Sequence, residues 1–178
     1  MTDDPTTLPI RFDDPSTLEE WKTVDDVVMG GHSDSTFEWV DEPVEALEPA
    51  IGFLRYTGRV TLADGGGFCS GRLEEADRGA PGTDRLRLLA RGDGNRYKLT
   101  LRTALTPESS SWRLPFDPPA GDWSIVEFPL EAFELWRRGS RLQTDRSVDP
   151  ARLTSIGVLI SDRQAGPFTL DVAEIWAE

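Results

Sequence analysis

The sequence predicts an all-β chain, most simply a jelly-roll-like sandwich. Three observations carry that expectation. Apolar residues recur mainly at period two in short runs, turns rich in Gly, Pro and Asp separate those runs, and helical periodicity is scarce. The clearest run is Tyr97–Thr103. There Tyr97, Leu99, Leu101 and Thr103 fall on one side and Lys98, Thr100 and Arg102 on the other, as a half-buried antiparallel strand requires.

In chain order, strand-like runs occupy 37–40, 53–56, 60–62, 68–70, 86–90, 97–103, 112–116, 124–130, 156–161 and 168–172. About ten short strands at this spacing suit a sandwich or a barrel. Two short helices are expected. Ser16-Thr17-Leu18-Glu19 fits a capping box, and 131–137 reads as the second. Residues 1–9, with Asp3 and Asp4, read as an acidic arm, and 10–178 as one domain. With 178 residues, 38% of them hydrophobic, the chain buries enough surface to fold without staples.

Composition excludes several classes. The single cysteine, Cys69, leaves no internal disulfide framework and no thiolate metal cage. No apolar run approaches the ~20 residues of a membrane span. The opening is acidic and resembles neither a secretory signal nor an organelle transit peptide, so the expected compartment is the cytoplasm. A net charge of −13 argues against nucleic acid, whose phosphates are bound through clustered Lys and Arg. Residues 1–48 carry 14 acids and 2 bases, against 18 acids and 17 bases in the remainder. That acidic first quarter reads as a solvated face or as a docking surface for a basic partner.

Enzyme chemistry finds little support. The only histidine, His32, lies in Gly30-Gly31-His32-Ser33-Asp34, a polar surface turn, and Cys69 between Phe68 and Ser70 reads as a small buried hydrophobe. The adjacent carboxylates Asp13-Asp14, Glu19-Glu20, Asp25-Asp26 and Glu74-Glu75 point to opposite faces of any strand and cannot form a facing acid/base couple. Asp64-Gly65-Gly66-Gly67 and Asp93-Gly94-Asn95 offer oxygens to calcium, but match no EF-hand pattern and read as hairpin turns. Arg91-Gly92-Asp93 ends a strand and is given no adhesion role. No catalytic residue, metal or cofactor is expected.

Four stretches stand apart: Trp21 with 26–31, then 66–72, 92–97 and 162–168. Together they resemble the family of complex I intermediate-associated protein 30, an assembly factor of NADH:ubiquinone oxidoreductase. The family's Asp-x-Val-Met-Gly-Gly element following a Trp is matched by Asp26 and Met29-Gly30-Gly31 after Trp21. Its Gly-Gly-Phe-x-Ser-x-Arg element ends here on Arg72, and Gly-Asp-Gly-x-x-Tyr spans Gly92, Asp93 and Tyr97. A Trp before a strand matches Trp123, and Asp-x-Gln-x-Gly-Pro-Phe carries Asp162 and Gln164. The order is preserved over roughly 10–176. The resemblance implies a galactose-binding-like jelly roll and a protein partner, respiratory complex subunits in the family's mitochondrial members. Those members carry a transit peptide that this chain lacks, so it is similar to a prokaryotic stand-alone member.

Read from the residues, the glycines serve turns and sheet crossings. Some of Arg72, Arg91, Arg96, Asp26, Asp93 and Asp162 are expected to meet in a polar cluster at one end or concave face of the sandwich, which either staples strands or receives a ligand. The candidate binding residues are thus Trp21, Asp26, Met29, Arg72, Arg91, Asp93, Arg96, Tyr97, Asp162 and Gln164. Trp39, Trp123 and Trp176 read as core, while Trp21, Trp112 and Trp136 lie near loops, where exposed rings would suit a sugar or a protein anchor. The leading expectation is a monomeric, non-enzymatic protein-binding domain of the assembly-factor family. A carbohydrate-binding module is the alternative, and a hydrolase built on Asp and Arg comes last.

Overall fold

Period-two alternation builds both walls of the computed structural model, which describes residues 8–47, 51–74 and 79–178. Thirteen strands are present among these residues: β1 (Ile10–Arg11), β2 (Trp21–Thr23), β3 (Asp34–Pro43), β4 (Ile51–Val60), β5 (Cys69–Glu74), β6 (Arg85–Arg91), β7 (Tyr97–Thr103), β8 (Ser110–Phe116), β9 (Ser124–Pro129), β10 (Glu134–Arg137), β11 (Ser140–Arg141), β12 (Leu153–Ile160) and β13 (Gly166–Ala177). They form two antiparallel sheets. One runs β3-β4-β13-β6-β9 with β1 added beside β13, and the other runs β11-β10-β8-β7-β12-β5-β2. The expected all-β sandwich is what forms. Of the acidic arm, residues 1–7 lie outside the described residues, and Leu8 already packs against the core.

Between the sheets lies a chain of ring contacts. Phe12, Trp21, Phe37, Tyr56, Phe168, Tyr97, Phe116, Phe128 and Phe133 follow one another at centroid separations between 4.8 and 6.5 Å. Burying each such ring is among the largest single contributions available to a core of this size. The inward rows of Leu99, Leu101, Ile156 and Leu170 fill the space around them. Gly71 is fixed by this packing, because a Cβ there would stand 2.2 Å from the Phe37 ring.

Several expectations are corrected. The turn Pro15–Leu18 is capped by Asp14, whose carboxylate accepts the Ser16 amide at 2.8 Å, and not by a Ser16–Glu19 box. The expected helix 131–137 is only a short turn, Leu130–Ala132, followed by β10. Its backbone is taken by the edge of β8, with Leu135 opposite Trp112. The Gly-rich stretches 64–67 and 93–95 are not hairpins. Each carries the chain from one sheet to the other, β4 to β5 and β6 to β7.

The tryptophans divide differently from their expected division. Trp21 and Trp112 are buried between the sheets. Trp123 and Trp176 are only half-buried, on the outer side of the six-stranded sheet, where they pack with Val44, Phe53, Leu89 and Ala173. Half-buried Trp39 donates its indole hydrogen to the Phe12 carbonyl at 2.9 Å.

Candidate functional site

All four motif stretches fall on connections that cross between the sheets, and two pairs of them are clamped together. The first clamp is Asp26. Its carboxylate is buried and accepts the Ser33 hydroxyl at 2.6 Å and the amides of Ser33, Gly67 and Phe68 at 2.9, 2.7 and 3.3 Å. A Cβ on Gly31 or Gly66 would meet that carboxylate at 2.4 or 2.7 Å, so both glycines are required by its close approach. Burial pushes the Asp26 carboxyl up. The hydrogen bonds from Ser33, Gly67 and Phe68 outweigh it, and its pKa lies below the ordinary carboxylate value. The turn that follows is left outside the core, with Val27, Val28 and Met29 exposed at 61%, 72% and 67%.

The second clamp holds 92–97 to 161–169. Asp93 accepts the Tyr97 hydroxyl at 3.0 Å, the Asn95 amide at 3.0 Å and the Thr169 amide at 2.7 Å. Gln164 reads the backbone of Arg96 in both directions, accepting from its amide and donating to its carbonyl, each at 2.8 Å. Arg96 itself reaches outward to exposed Asp117.

These clamped loops close one end of a groove of about 560 Å³ on the outer face of the seven-stranded sheet. Register explains its shape. Across the sheet, Arg72 of β5, Gly157 of β12, Thr100 of β7 and Arg113 of β8 stand abreast. The floor is therefore small in the middle and cationic at its sides. Gly157 has no room for a side chain, since a Cβ would meet the Gly71 carbonyl at 2.5 Å.

Six bases line this groove, Arg72, Lys98, Arg102, Arg113, Arg138 and Arg163, with one acid, Asp162. Two of the bases are paired: Arg72 with Glu74, and Lys98 with Asp162 at 2.7 Å. The other four have no carboxylate within ion-pair distance among the described residues. Arg113 donates only to the Ser111 hydroxyl at 3.0 Å, and burial pulls its guanidinium below the ordinary value. Such a patch in a chain of net charge −13 is a local inversion of sign. The aromatic lining residues are Phe68 and Trp136, and the Arg113 guanidinium lies 5.8 Å from the Trp136 ring centroid.

The family profile described as Complex I intermediate-associated protein 30 matches residues 10–172. The chain belongs to that family. No curated protein matches it in sequence. Solved structures similar to this member of the family share its fold at low identity. The family 11 carbohydrate-binding module of the cellulosomal cellulase Lic26A-Cel5E of Clostridium thermocellum is 12% identical, with a TM-score of 0.66 over 96% of this chain and 95% of that one. The Clostridium thermocellum family 11 module in complex with a β-1,3-1,4-mixed-linked tetrasaccharide is 13% identical, with a TM-score of 0.59 over 89% of each chain. An exo-β-agarase matches with 7% identity and a TM-score of 0.58, over 94% of this chain and 25% of that enzyme. The fold is accordingly a galactose-binding-like jelly roll of the type found in carbohydrate-binding modules.

Of the six acids and arginines, some of which were expected to share one polar cluster, Arg72 and Asp162 share the groove's lining and the other four lie elsewhere. Met29, Arg72 and Asp162 line the groove. Trp21, Asp26 and Tyr97 are buried, and Asp93, Arg96 and Gln164 belong to the end loops. Arg91 lies on the other sheet, bound to Asp171 at 2.7 Å beneath Trp123 and Phe53. These six acids and arginines sit on different strands and crossings, and strand register carries them apart.

Sequence reading passed over Arg102, Arg113, Arg138 and Arg163 as site residues. Their signal was the outward half of each alternation, Lys98 and Arg102 in β7 and Arg113 in β8, which becomes a patch only when the strands are laid side by side. His32 and Asp64 form an exposed pair at 2.7 Å, and neither lines the groove. Burial pushes the Cys69 thiol above its ordinary value and leaves it protonated at neutral pH. No group of three or more His, Cys, Asp and Glu side chains set to hold a metal ion occurs among the described residues.

Proposed function

We propose that this member of the complex I intermediate-associated protein 30 family is a non-enzymatic protein-binding domain. It acts as an assembly factor for a respiratory NADH dehydrogenase complex, and the outer face of its seven-stranded sheet is the contact surface. The observation that carries this reading is the groove itself, with four arginines lacking acidic partners among the described residues beside an exposed apolar turn. Charge and apolar area left available side by side are what protein interfaces use. The groove's lining holds one carboxylate and no His or Cys, which supports a binding role over acid/base or nucleophilic catalysis.

A second reading, binding of a sugar chain, draws on the likeness to a module solved with a tetrasaccharide. Less favourable to it is the ring inventory, since sugar platforms need a free aromatic face and, of the lining rings Phe68 and Trp136, the larger has Arg113 lying against it. Affinity capture from the host's membrane and soluble extracts separates the two. Enrichment of NADH dehydrogenase subunits, lost in a folded Arg113→Glu variant, supports the assembly reading. Saturable thermal stabilisation by a neutral oligosaccharide, without such enrichment, replaces it with the second.

A further inference from the structure

The groove's dimensions and charge specify more than a contact surface. β7 sets its long axis, and outward positions along that strand recur every ~6.6 Å, two residues at about 3.3 Å each. Lys98, then the row of Arg72, Thr100 and Arg113, then Arg102 therefore present cations at successive steps of that interval. An extended polypeptide laid along β7 carries alternate side chains at the same interval. Arg138 stands at the far end beside Ser109, and Met29 closes the near end beside Gly65, Gly66 and Gly67.

We propose that the groove receives an extended acidic segment of its protein partner, whose alternate carboxylates pair with Arg102, Arg113 and Arg138 and whose apolar residue seats on the Val27–Met29 turn. This rests on the protein-binding reading above and adds the chemistry of the partner. Arginine is suited to the task, because its planar fork binds carboxylates bidentately and remains charged when half-buried. The apolar turn distinguishes such a segment from a polyuronate or a nucleic acid, neither of which brings an aliphatic side chain. Long polyanions are further opposed by the field of a chain of net charge −13. A short acidic stretch meets the local patch without facing that field.

The test uses the full chain and a fluorescein-labelled peptide of about eight residues, alternating Glu with Val or Leu, long enough to span the groove at ~3.3 Å per residue. A Gln-for-Glu version, a trigalacturonate and a short oligonucleotide serve as comparison probes, followed by fluorescence anisotropy at rising salt. The acidic peptide is expected to bind in preference to all three, to weaken about tenfold as salt rises, and to lose tenfold or more in the Arg102→Gln/Arg113→Gln variant. Met29→Ser should weaken it several-fold without altering the salt slope. Should the Arg113 substitution impair folding, Arg102→Gln/Arg138→Gln carries the same expectation, Arg138 being exposed.

Equal binding of the Gln peptide, indifference to the arginine variants, or tighter binding of the trigalacturonate or oligonucleotide would overturn the proposal. Its failure is distinguishable from failure of the assembly reading. Capture of NADH dehydrogenase subunits that persists in Arg102→Gln/Arg138→Gln removes only this inference. Groove-dependent peptide binding without such capture sustains the inference and removes the assembly role.

Discussion

The two outer faces of the sandwich use arginine in opposite ways. On the six-stranded sheet, Asp171 of β13 lies between Arg55 of β4 and Arg91 of β6, binding them at 2.8 and 2.7 Å with its own side chain 4% exposed. The rings of Phe53 and Trp123 then cover Arg91 at 5.2 and 4.7 Å. That cluster is closed: both guanidinium groups have their carboxylate and lie over an aromatic ring. On the seven-stranded sheet the register is as regular, yet among the described residues Arg102, Arg113, Arg138 and Arg163 meet no acid. An arginine that is paired and covered holds strands together, while one left unpaired in a groove is an invitation to a ligand.

Removing Asp171 breaks this comparison most severely. Asp171→Ala leaves two half-buried guanidinium groups facing each other across β13, and we expect a loss of about 3 kcal/mol in urea unfolding. Asp26→Ala should follow at about 2–3 kcal/mol, since it removes the acceptor of three amides and the nearest acceptor of the buried Ser33 hydroxyl. Arg102→Gln and Arg138→Gln should change stability by less than about 0.5 kcal/mol while abolishing partner capture. Losses as large as that of Asp171→Ala would mean that the groove arginines are structural after all.

The neighbouring carboxylates Asp25 and Asp26 sharpen the point at the level of single groups. Burial raises the Asp25 pKa, against the hydrogen bonds it accepts from the Ser35 hydroxyl and the Ser70 amide. Asp26 is lowered. A carboxyl whose folded pKa is depressed contributes stability that is present above its unfolded value, about 3.9, and lost as pH falls through the folded one. A raised carboxyl does the reverse, and its contribution disappears as pH climbs from about 3.9 through the folded value. Asp26→Asn should therefore flatten the acid limb of a stability–pH curve, and Asp25→Asn should remove a decline on the other side of pH 4. A curve unchanged by either substitution would contradict the hydrogen-bonding account of this loop.

Much of this was legible in the sequence. The alternation of Tyr97–Thr103 named the inward and outward rows of β7 correctly, and the family motifs marked the loops where the chain crosses between sheets. What could not be read was adjacency. Nothing local in 131–137 says that β8 has a free edge to pair with, so the segment reads as a helix although 134–137 form a strand. Nothing in Arg91-Gly92-Asp93 shows that the next strand joins the opposite sheet. Asp26, Asp93 and Gln164, expected as candidate binding residues, are clamps between crossing loops beside the groove. The cations of that surface lie one or two to a strand, and only pairing brings them together.

The most direct test of the central claim places a photo-reactive benzoylphenylalanine at Ser109, on the lip of the groove, or at Ile125, exposed on the six-stranded sheet, and irradiates each variant in host membranes. Cross-links to NADH dehydrogenase subunits from position 109 and none from 125 is the result expected here. The opposite pattern, or equal yields from both, would contradict it.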